Sequence, residues 1–185
     1  MPDKIVLSGP VGAGKTTAIH ALSDGSALST DATASDVTGA VKDLTTVALD
    51  HGAFNLDNGD RVHLFGTPGQ DRFDYMWEIL SEGANGLVLL VPNDHVNPLS
   101  QLRFFVRSFA PLVNGAAIAV GVTHTDLSSL PTLDEYHQLL TEMGLPNAPV
   151  HAVDARQPDD VRHLILDLLF PRPIRTPRHA RETTF

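Results

Sequence analysis

The sequence predicts an α/β protein with a mostly parallel β-sheet and helices on both faces. Short apolar runs typical of buried strands alternate with amphipathic stretches typical of helices. A glycine-rich loop directly follows the first of these runs, and one Asn58-Gly59 turn marks a single hairpin. Because parallel strands are joined by crossover helices, the hairpin is expected to contribute the one antiparallel strand.

Five segments have the composition of β-strands: Lys4–Ser8, Ala48–Leu56, Arg61–Gly66, Leu87–Val91 and Ala116–Val122. The second and third flank the Asn-Gly turn, which is typical of a hairpin. The last two are continuous apolar runs, the pattern of central parallel strands that are covered on both faces. A further short strand is expected just before Val153.

Two helices are predicted from capping and periodicity. Thr132 and Glu135 form a capping box, in which a hydroxyl and a carboxylate bind the first free backbone N–H groups. The apolar residues of this helix share one face: Leu133, Tyr136, Leu140 and Met143. The second helix ends at Pro171 and has the spacing of a core-facing helix at Val161, Leu164, Ile165, Leu168 and Leu169.

Length and composition favour one cysteine-free domain over residues 1–170. The 185 residues leave no room for two ordinary domains. The absence of cysteine excludes disulfides, thiolate metal sites and thiol nucleophiles. A formal net charge of −9 argues against a general nucleic-acid binder, which would carry a basic surface.

Charge is unevenly distributed along the chain. Residues 171–185 carry four arginines and one glutamate, which leaves a balance of −12 over residues 1–170. This basic tail is either a flexible terminus or a contact to an acidic partner or membrane surface. The sequence has no signal-peptide pattern and no run of about 18 apolar residues. It therefore predicts a cytoplasmic protein that reaches a membrane only peripherally, through the tail or through partners.

Residues 9–16 read G-P-V-G-A-G-K-T and match the phosphate-loop pattern G-x-x-x-x-G-K-(S/T). The glycines let backbone N–H groups converge on an anion, and the following helix adds its positive N-terminal end. Lys15 is predicted to reach the β- and γ-phosphates, and the Thr16 hydroxyl to bind Mg²⁺. The nucleotide-binding residues predicted here are Gly9, Val11, Gly12, Ala13, Gly14, Lys15, Thr16 and Thr17. The motif indicates a nucleoside triphosphate but not which base it carries.

The segment at residues 64–73, L-F-G-T-P-G-Q-D-R-F, resembles the D-T-A-G-Q-E-R-F switch II element of Ras-like small GTPases. The resemblance implies that Gly69 senses the γ-phosphate through its backbone N–H and that Gln70 orients the attacking water. The alternative is an ordinary turn, since Pro-Gly suits the centre of a type II turn.

One position departs from the family pattern. Gly66 stands where the family has an acidic residue that supports the Mg²⁺ shell. Either Mg²⁺ binds more weakly here or another acid takes over, and Asp31 and Asp50 are the candidates.

Residues 45–52, T-T-V-A-L-D-H-G, resemble switch I and the strand that follows it. The resemblance implies that Thr46, with Thr45 as the alternative, closes over the γ-phosphate and Mg²⁺. A Thr-Thr pair is also ordinary strand composition. The segment has no arginine to act as a catalytic finger, and Arg72, the nearest, is expected to face solvent. The preceding residues 25–45 lack periodicity, as functional or mobile loops do.

Residues 123–126, T-H-T-D, follow an apolar strand and resemble the N-K-x-D or T-K-x-D element that reads guanine. A carboxylate at Asp126 would accept hydrogen bonds from N1–H and the exocyclic amine of guanine, whereas adenine has an acceptor at N1. His124 replaces the family lysine and either stacks on the base, caps a helix or faces solvent. Thr123 is predicted to bind the nucleotide with these two residues.

Residues 154–156, D-A-R, stand where the family has its S-A-K loop. The resemblance implies that the Ala155 backbone N–H contacts guanine O6, with Asp154 and Arg156 beside it. Both flanking residues differ from the family. The other histidines show no pair at metal-ligand spacing and are predicted to be scattered surface or edge residues.

These elements occur in family order over residues 4–169 and resemble prokaryotic Ras-like small GTPases, most of all those of actinobacterial conservon operons, with the gliding-motility polarity GTPase of myxobacteria as a further relative. The resemblance implies a P-loop NTPase fold with a six-stranded, mostly parallel sheet. It implies a slow GTP-hydrolysing switch that binds GTP, GDP and Mg²⁺. It also implies a roadblock (longin-like) partner and a sensor-kinase-like partner. The alternative is a nucleotide-gated binding module with negligible hydrolysis.

Overall fold

The computed structural model describes residues 3–23, 50–69, 74–112 and 115–171. Strands and helices alternate along them, with one exception at the hairpin. The elements are β1 Asp3–Ser8, α1 Lys15–Leu22, β2 Asp50–Asn55, β3 Arg61–Gly66, α2 Asp74–Ser81, β4 Gly86–Pro92, α3 Pro98–Phe109, β5 Ala117–Thr123, α4 Leu133–Glu142, β6 Val150–Ala152 and α5 Pro158–Leu169. The predicted α/β class is confirmed.

The six strands form one sheet in the order β2-β3-β1-β4-β5-β6. Strands β2 and β3 pair antiparallel, and every other neighbouring pair is parallel. The hairpin turn has Gly59 at φ 88°, a left-handed conformation that glycine adopts without steric cost. The predicted hairpin and its antiparallel edge strand are therefore confirmed.

Apolar side chains fill both faces of the sheet. On one face, Ile5 and Leu7 of β1 pack with residues of α1 and α5, including Ile19 and Leu164. On the other face, Val6 of β1 packs with residues of α2, α3 and α4. Because successive strand residues point to opposite sides, each central strand contributes to both cores. Its continuous apolar composition follows from this position.

The two helices predicted from capping and periodicity are present as α4 and α5. The capping box of Thr132 and Glu135 is present at the start of α4. The apolar residues predicted to face the core in α5 are buried at Val161, Leu164, Ile165 and Leu168, and Leu169 is partly buried. Sequence reasoning missed α2 and α3 altogether. Helix α3 begins at Pro98, and the Asn97 side chain caps it by accepting a hydrogen bond from Ser100 N.

Some predictions concern segments outside the described residues. Among these are the loop at residues 25–45, the first two residues of the strand predicted at 48–56 and the tail from residue 172 onward. Among the helices that the structure does describe, none combines the length and apolar character needed to cross a membrane.

Candidate functional site

Predicted site residues on the loops after β1, β5 and β6 lie together at one edge of the sheet, where these parallel strands end. The loops that follow β1, β5 and β6 line an open cavity of about 500 Å³. Its lining includes Gly12, Gly14, Thr17, Thr123–Leu127 and Val153–Arg156. Ligands of open α/β sheets bind outside the carboxyl ends of the strands, so this cavity is the candidate site.

The predicted phosphate loop, residues 9–14, connects β1 to α1 through three glycines with positive φ. At Gly9 (φ 141°) a Cβ atom would lie 2.1 Å from the Leu90 carbonyl oxygen, so no other residue fits. At Gly14 (φ 93°) a Cβ atom would lie 2.8 Å from the Ala155 side chain. These close contacts hold the loop tightly against β4 and against the loop that follows β6.

Lys15, the first residue of α1, is turned into the loop. Its Nζ donates hydrogen bonds to the carbonyl oxygens of Gly9 (2.7 Å) and Pro10 (2.8 Å). Burial lowers the pKa of Lys15 to about 8, and the nearby Asp50 carboxylate offsets part of that shift. The ammonium group is thus held at the centre of the loop.

Thr16 and Asp50 join α1 to the edge hairpin. The Thr16 hydroxyl donates a hydrogen bond to Asp50 Oδ2. Asp50 is the ladder partner of Gly66, and a Cβ atom at Gly66 would lie 3.1 Å from Asp50 Cβ. The Asp50 carboxylate therefore occupies the region that an acidic side chain at position 66 would enter. Of the two acids considered as replacements, Asp31 lies outside the described residues.

Gly69 approaches the phosphate loop closely. A Cβ atom there would lie 2.7 Å from Val11 N and 2.8 Å from Lys15 Nζ. The chain reaches this position through Thr67, whose hydroxyl donates to Ser8 Oγ at 2.8 Å. The other predicted residues of the two switch segments, Thr45, Thr46, Gln70 and Arg72, lie outside the described residues.

Thr123 ties the predicted base-reading loop to the phosphate loop. Its buried hydroxyl donates to the Ala13 carbonyl oxygen at 3.1 Å. The next residue, His124, has a left-handed backbone with φ 58°, and its Nδ1 lies 2.7 Å from Asp94 Oδ1. His124 does not cap a helix, because its imidazole pairs with this carboxylate from the loop after β4. Asp126 is exposed at the rim of the cavity.

A network of polar side chains stabilises the predicted base-reading loop that follows β5. Tyr136 donates to Asn93 Oδ1 at 2.8 Å, and Asn93 Nδ2 donates to the Ser128 carbonyl oxygen at 2.7 Å and to that of Pro131 at 3.2 Å. Burial, with a contribution from Glu135, raises the pKa of the Tyr136 phenol, which stays protonated as a donor. Sequence reasoning missed Asn93 and Asp94. Their only signal was a polar Asn-Asp pair directly after an apolar strand.

Asp154 and Arg156 form a bidentate ion pair on the other side of the cavity. Arg156 Nε and Nη2 each donate to the Asp154 carboxylate at 2.8 Å. The hydrogen bonds from Arg156 lower the pKa of Asp154 to about 2, and the same contact raises the pKa of Arg156. Ala155 between them is buried against Gly14. Asp154 and Arg156 therefore neutralise each other's charge.

The prediction of scattered histidines is wrong at the hairpin. His51 Nε2 lies 3.3 Å from His63 Nδ1, and His51 also packs on Phe65 with ring centroids 4.7 Å apart. These residues meet because β2 and β3 pair in a register that brings His51 and His63 onto one face. Within the described part of the chain, no cluster of three or more histidines and carboxylates could hold a metal ion.

Comparison with known proteins gives one partial similarity. No family model matches the chain. An uncharacterized protein of Methanocaldococcus jannaschii, MJ1339, is 37% identical over 90 residues, which is 47% of this chain and 49% of the archaeal protein. The chain thus spans about half the length of the curated relative it matches.

Proposed function

We propose that this protein is a P-loop NTPase of the Ras-like type, a guanine-nucleotide switch that hydrolyses GTP slowly. The observation that carries the proposal is the common cavity. Gly12 and Gly14 of the phosphate loop line it together with the loops that hold Asp126 and Ala155, and Lys15 lies within the same phosphate loop. A nucleotide needs an anion site for its phosphates and a second site for its base within reach of each other.

On the phosphate side, the chemistry is that of an anion nest. Backbone N–H groups of the loop would bind phosphate oxygens, and α1 would add the positive end of its dipole. The Lys15 ammonium, now satisfied by two carbonyl oxygens, would exchange them for phosphate oxygens, which make stronger charge-assisted hydrogen bonds. Gly69 lies beside Lys15 and is suited to respond to a terminal phosphate.

On the base side, Asp126 would select guanine. Its exposed carboxylate offers two acceptors, which match N1–H and the exocyclic amine. The Asp154 carboxylate cannot compete for the same role, because Arg156 occupies both of its oxygens. Asp126 is thus the carboxylate of this cavity that remains available to a base.

The residues present fit Mg²⁺. The Thr16 hydroxyl and the Asp50 carboxylate are adjacent oxygen donors, and Mg²⁺ prefers oxygen ligands together with those of substrate phosphates. When bound, Mg²⁺ neutralises charge on the β- and γ-phosphates. By family resemblance, Thr46 would supply a second hydroxyl and Gln70 would orient the attacking water.

The second candidate is a nucleotide-gated binding module with negligible hydrolysis. Gly66 favours it, because the family acid is missing from β3. Slow release of γ-phosphate that Gln70→Ala abolishes would support the switch. Retention of unhydrolysed GTP over hours by wild-type protein, with partner present, would favour the binding module.

Competition binding with GTP, GDP, ATP and ADP tests the shared core of both candidates. We expect the guanine nucleotides to displace a fluorescent GDP analogue at far lower concentration than the adenine nucleotides. Equal or tighter binding of ATP would contradict the role of Asp126. A roadblock-type partner, a sensor-kinase-like partner and peripheral membrane contact through the basic tail complete the proposal and rest on resemblance and charge.

A further inference from the structure

His124 has a backbone conformation that needs an explanation. Among the described residues, it is the one non-glycine residue with positive φ, at 58°. Such a conformation costs free energy in an L-residue and persists where neighbouring structure enforces it. Here the enforcing contacts are the hydrogen bonds that the His124 carbonyl oxygen accepts from Leu127 N and Ser128 N, each at 3.1 Å. The strained turn aims the imidazole at the Asp94 carboxylate.

The contact with Asp94 determines which imidazole nitrogen carries hydrogen. Asp94 Oδ1 lies 2.7 Å from His124 Nδ1, and an ionised carboxylate can only accept a hydrogen bond. Nδ1 is therefore protonated, and Nε2 is the free edge of the ring. His124, whose side chain is 38% exposed, lines the cavity, whereas Asp94, at 40%, contacts the ring from outside the cavity lining.

The loop that carries Asp94 is rigidly attached to the loop that carries Asp126. Pro92 and Thr123 are ladder partners, and Asn93 N donates to the Thr123 carbonyl oxygen at 2.8 Å. The buried Asn93 side chain then holds the Ser128 carbonyl oxygen. Asp94 is thus fixed relative to both His124 and Asp126.

We propose that Asp94 is a positioning residue for purine recognition, which holds the His124 imidazole in its Nδ1–H form against the base that Asp126 reads. The inference rests on the proposed function and adds a residue to that site. A ring that is oriented before binding loses less rotational freedom when the nucleotide arrives. The pair would thereby replace the lysine that Ras-like proteins carry at position 124.

Four single variants and one double variant test this positioning role. Asp94→Ala removes the acceptor, Asp94→Asn keeps an acceptor oxygen without the charge, and His124→Ala removes the ring. Asp134→Ala is the matched control, because it removes an exposed carboxylate from the first turn of α4, away from the cavity. The readouts are imidazole nitrogen NMR, which reports the tautomer of His124, and the dissociation rate of a fluorescent GDP analogue.

We expect Asp94→Ala to release His124 from the Nδ1–H form and to accelerate GDP release about tenfold, as loss of an orienting partner does. Asp94→Asn should retain both wild-type properties, and Asp134→Ala should behave as wild type. Adding Asp94→Ala to His124→Ala should cause no further acceleration, because the carboxylate acts through the ring.

Two different results would overturn two different claims. If wild-type protein binds GDP but Asp94→Ala changes neither the tautomer nor the release rate, the positioning role fails while the proposed function stands. Equal acceleration by Asp94→Ala with and without His124 would also overturn it. If wild-type protein binds no purine nucleotide, the proposed function itself fails and the inference fails with it.

Discussion

The Thr16 hydroxyl donates a hydrogen bond to the Asp50 carboxylate across 34 residues of sequence. Asp50 lies on β2 directly opposite Gly66 of β3. In the proposed Mg²⁺ site, the supporting carboxylate would therefore come from the neighbouring strand. Under the proposed function, Asp50 would then take the role of the acid that is missing at position 66.

Asp50→Ala should make Mg²⁺ less effective at slowing the release of GDP. We expect the Mg²⁺ concentration that half-maximally slows GDP release to rise about tenfold or more, because a supporting carboxylate is lost. Titration of Mg²⁺ during GDP release measures this, with Glu142→Ala as an exposed control. Exchanging the two residues, Asp50→Gly with Gly66→Asp, should restore part of the Mg²⁺ response. An unchanged response in Asp50→Ala would exclude a role for this carboxylate.

Lys15 should make phosphate binding depend on pH. Its pKa of about 8 in the unliganded protein means that the ammonium form declines above pH 8, whereas phosphate binds that charged form. We expect the affinity for GDP to fall between pH 8 and 9. Calorimetry across this range measures the slope. The Lys15→Met variant should bind GDP weakly, and its affinity should not change between pH 8 and 9. A wild-type affinity that is constant over this range would refute the role of the Lys15 ammonium in phosphate binding.

Asp126→Asn should change which purine is bound. An amide offers one acceptor and one donor, so its NH₂ group opposes a donor of guanine but matches the carbonyl that xanthine carries at C2. Loss of a charged hydrogen-bond partner predicts about a hundredfold weaker GDP binding. Competition between GDP and XDP provides an internal control, since misfolding would weaken both. Unchanged GDP preference would mean that another group reads the base.

The His51–His63 pair should make the protein less stable in mild acid. Burial lowers the pKa of both histidines, and for His51 the neighbouring His63 and Arg61 lower it further. The folded protein thus binds fewer protons than the unfolded chain, whose histidines titrate near 6.5. The contribution of the two neutral histidines to the free energy of unfolding is therefore fully present above that pH. It is lost as the pH falls through the lowered pKa values that the two histidines have in the folded protein.

Urea denaturation at pH 7.5 and pH 5.5 measures this decline. We expect the combined variant His51→Gln and His63→Gln to lose less stability between the two pH values than wild type does. His163→Gln, which changes an exposed histidine of α5, is the control. A decline as steep in the double variant as in wild type would assign the acid sensitivity elsewhere.

Ser81→Ala should stabilise the protein. Ser81 is 2% exposed at the end of α2, and its hydroxyl has no hydrogen-bond partner, the only such buried side-chain atom in the described part of the chain. Removing an unsatisfied buried hydroxyl should raise the free energy of unfolding by about 1 kcal/mol. Ser8→Ala is the contrasting variant. It removes the acceptor of the Thr67 hydroxyl and should lower the free energy of unfolding by about 1–3 kcal/mol.

Local features of this protein were predictable because their causes are local. The Asn58-Gly59 turn, the Thr132–Glu135 capping box and the core-facing stripe of α5 each depend on residues a few positions apart. Helices α2 and α3 were not predicted. In α3, buried Phe105 adjoins exposed Phe104, so the aromatic pair obscures the helical period. Such a helix is specified by its packing against the sheet rather than by a clean pattern.

The sequence by itself determined the α/β class, the glycine loop with Lys15 and the carboxylate at Asp126. Only the tertiary structure decided the partners of these residues. Asp50 meets Thr16, and Asp94 meets His124, because the strand order places distant segments side by side. The contacts are between residues far apart in sequence, and no local pattern encodes which strand edges become neighbours.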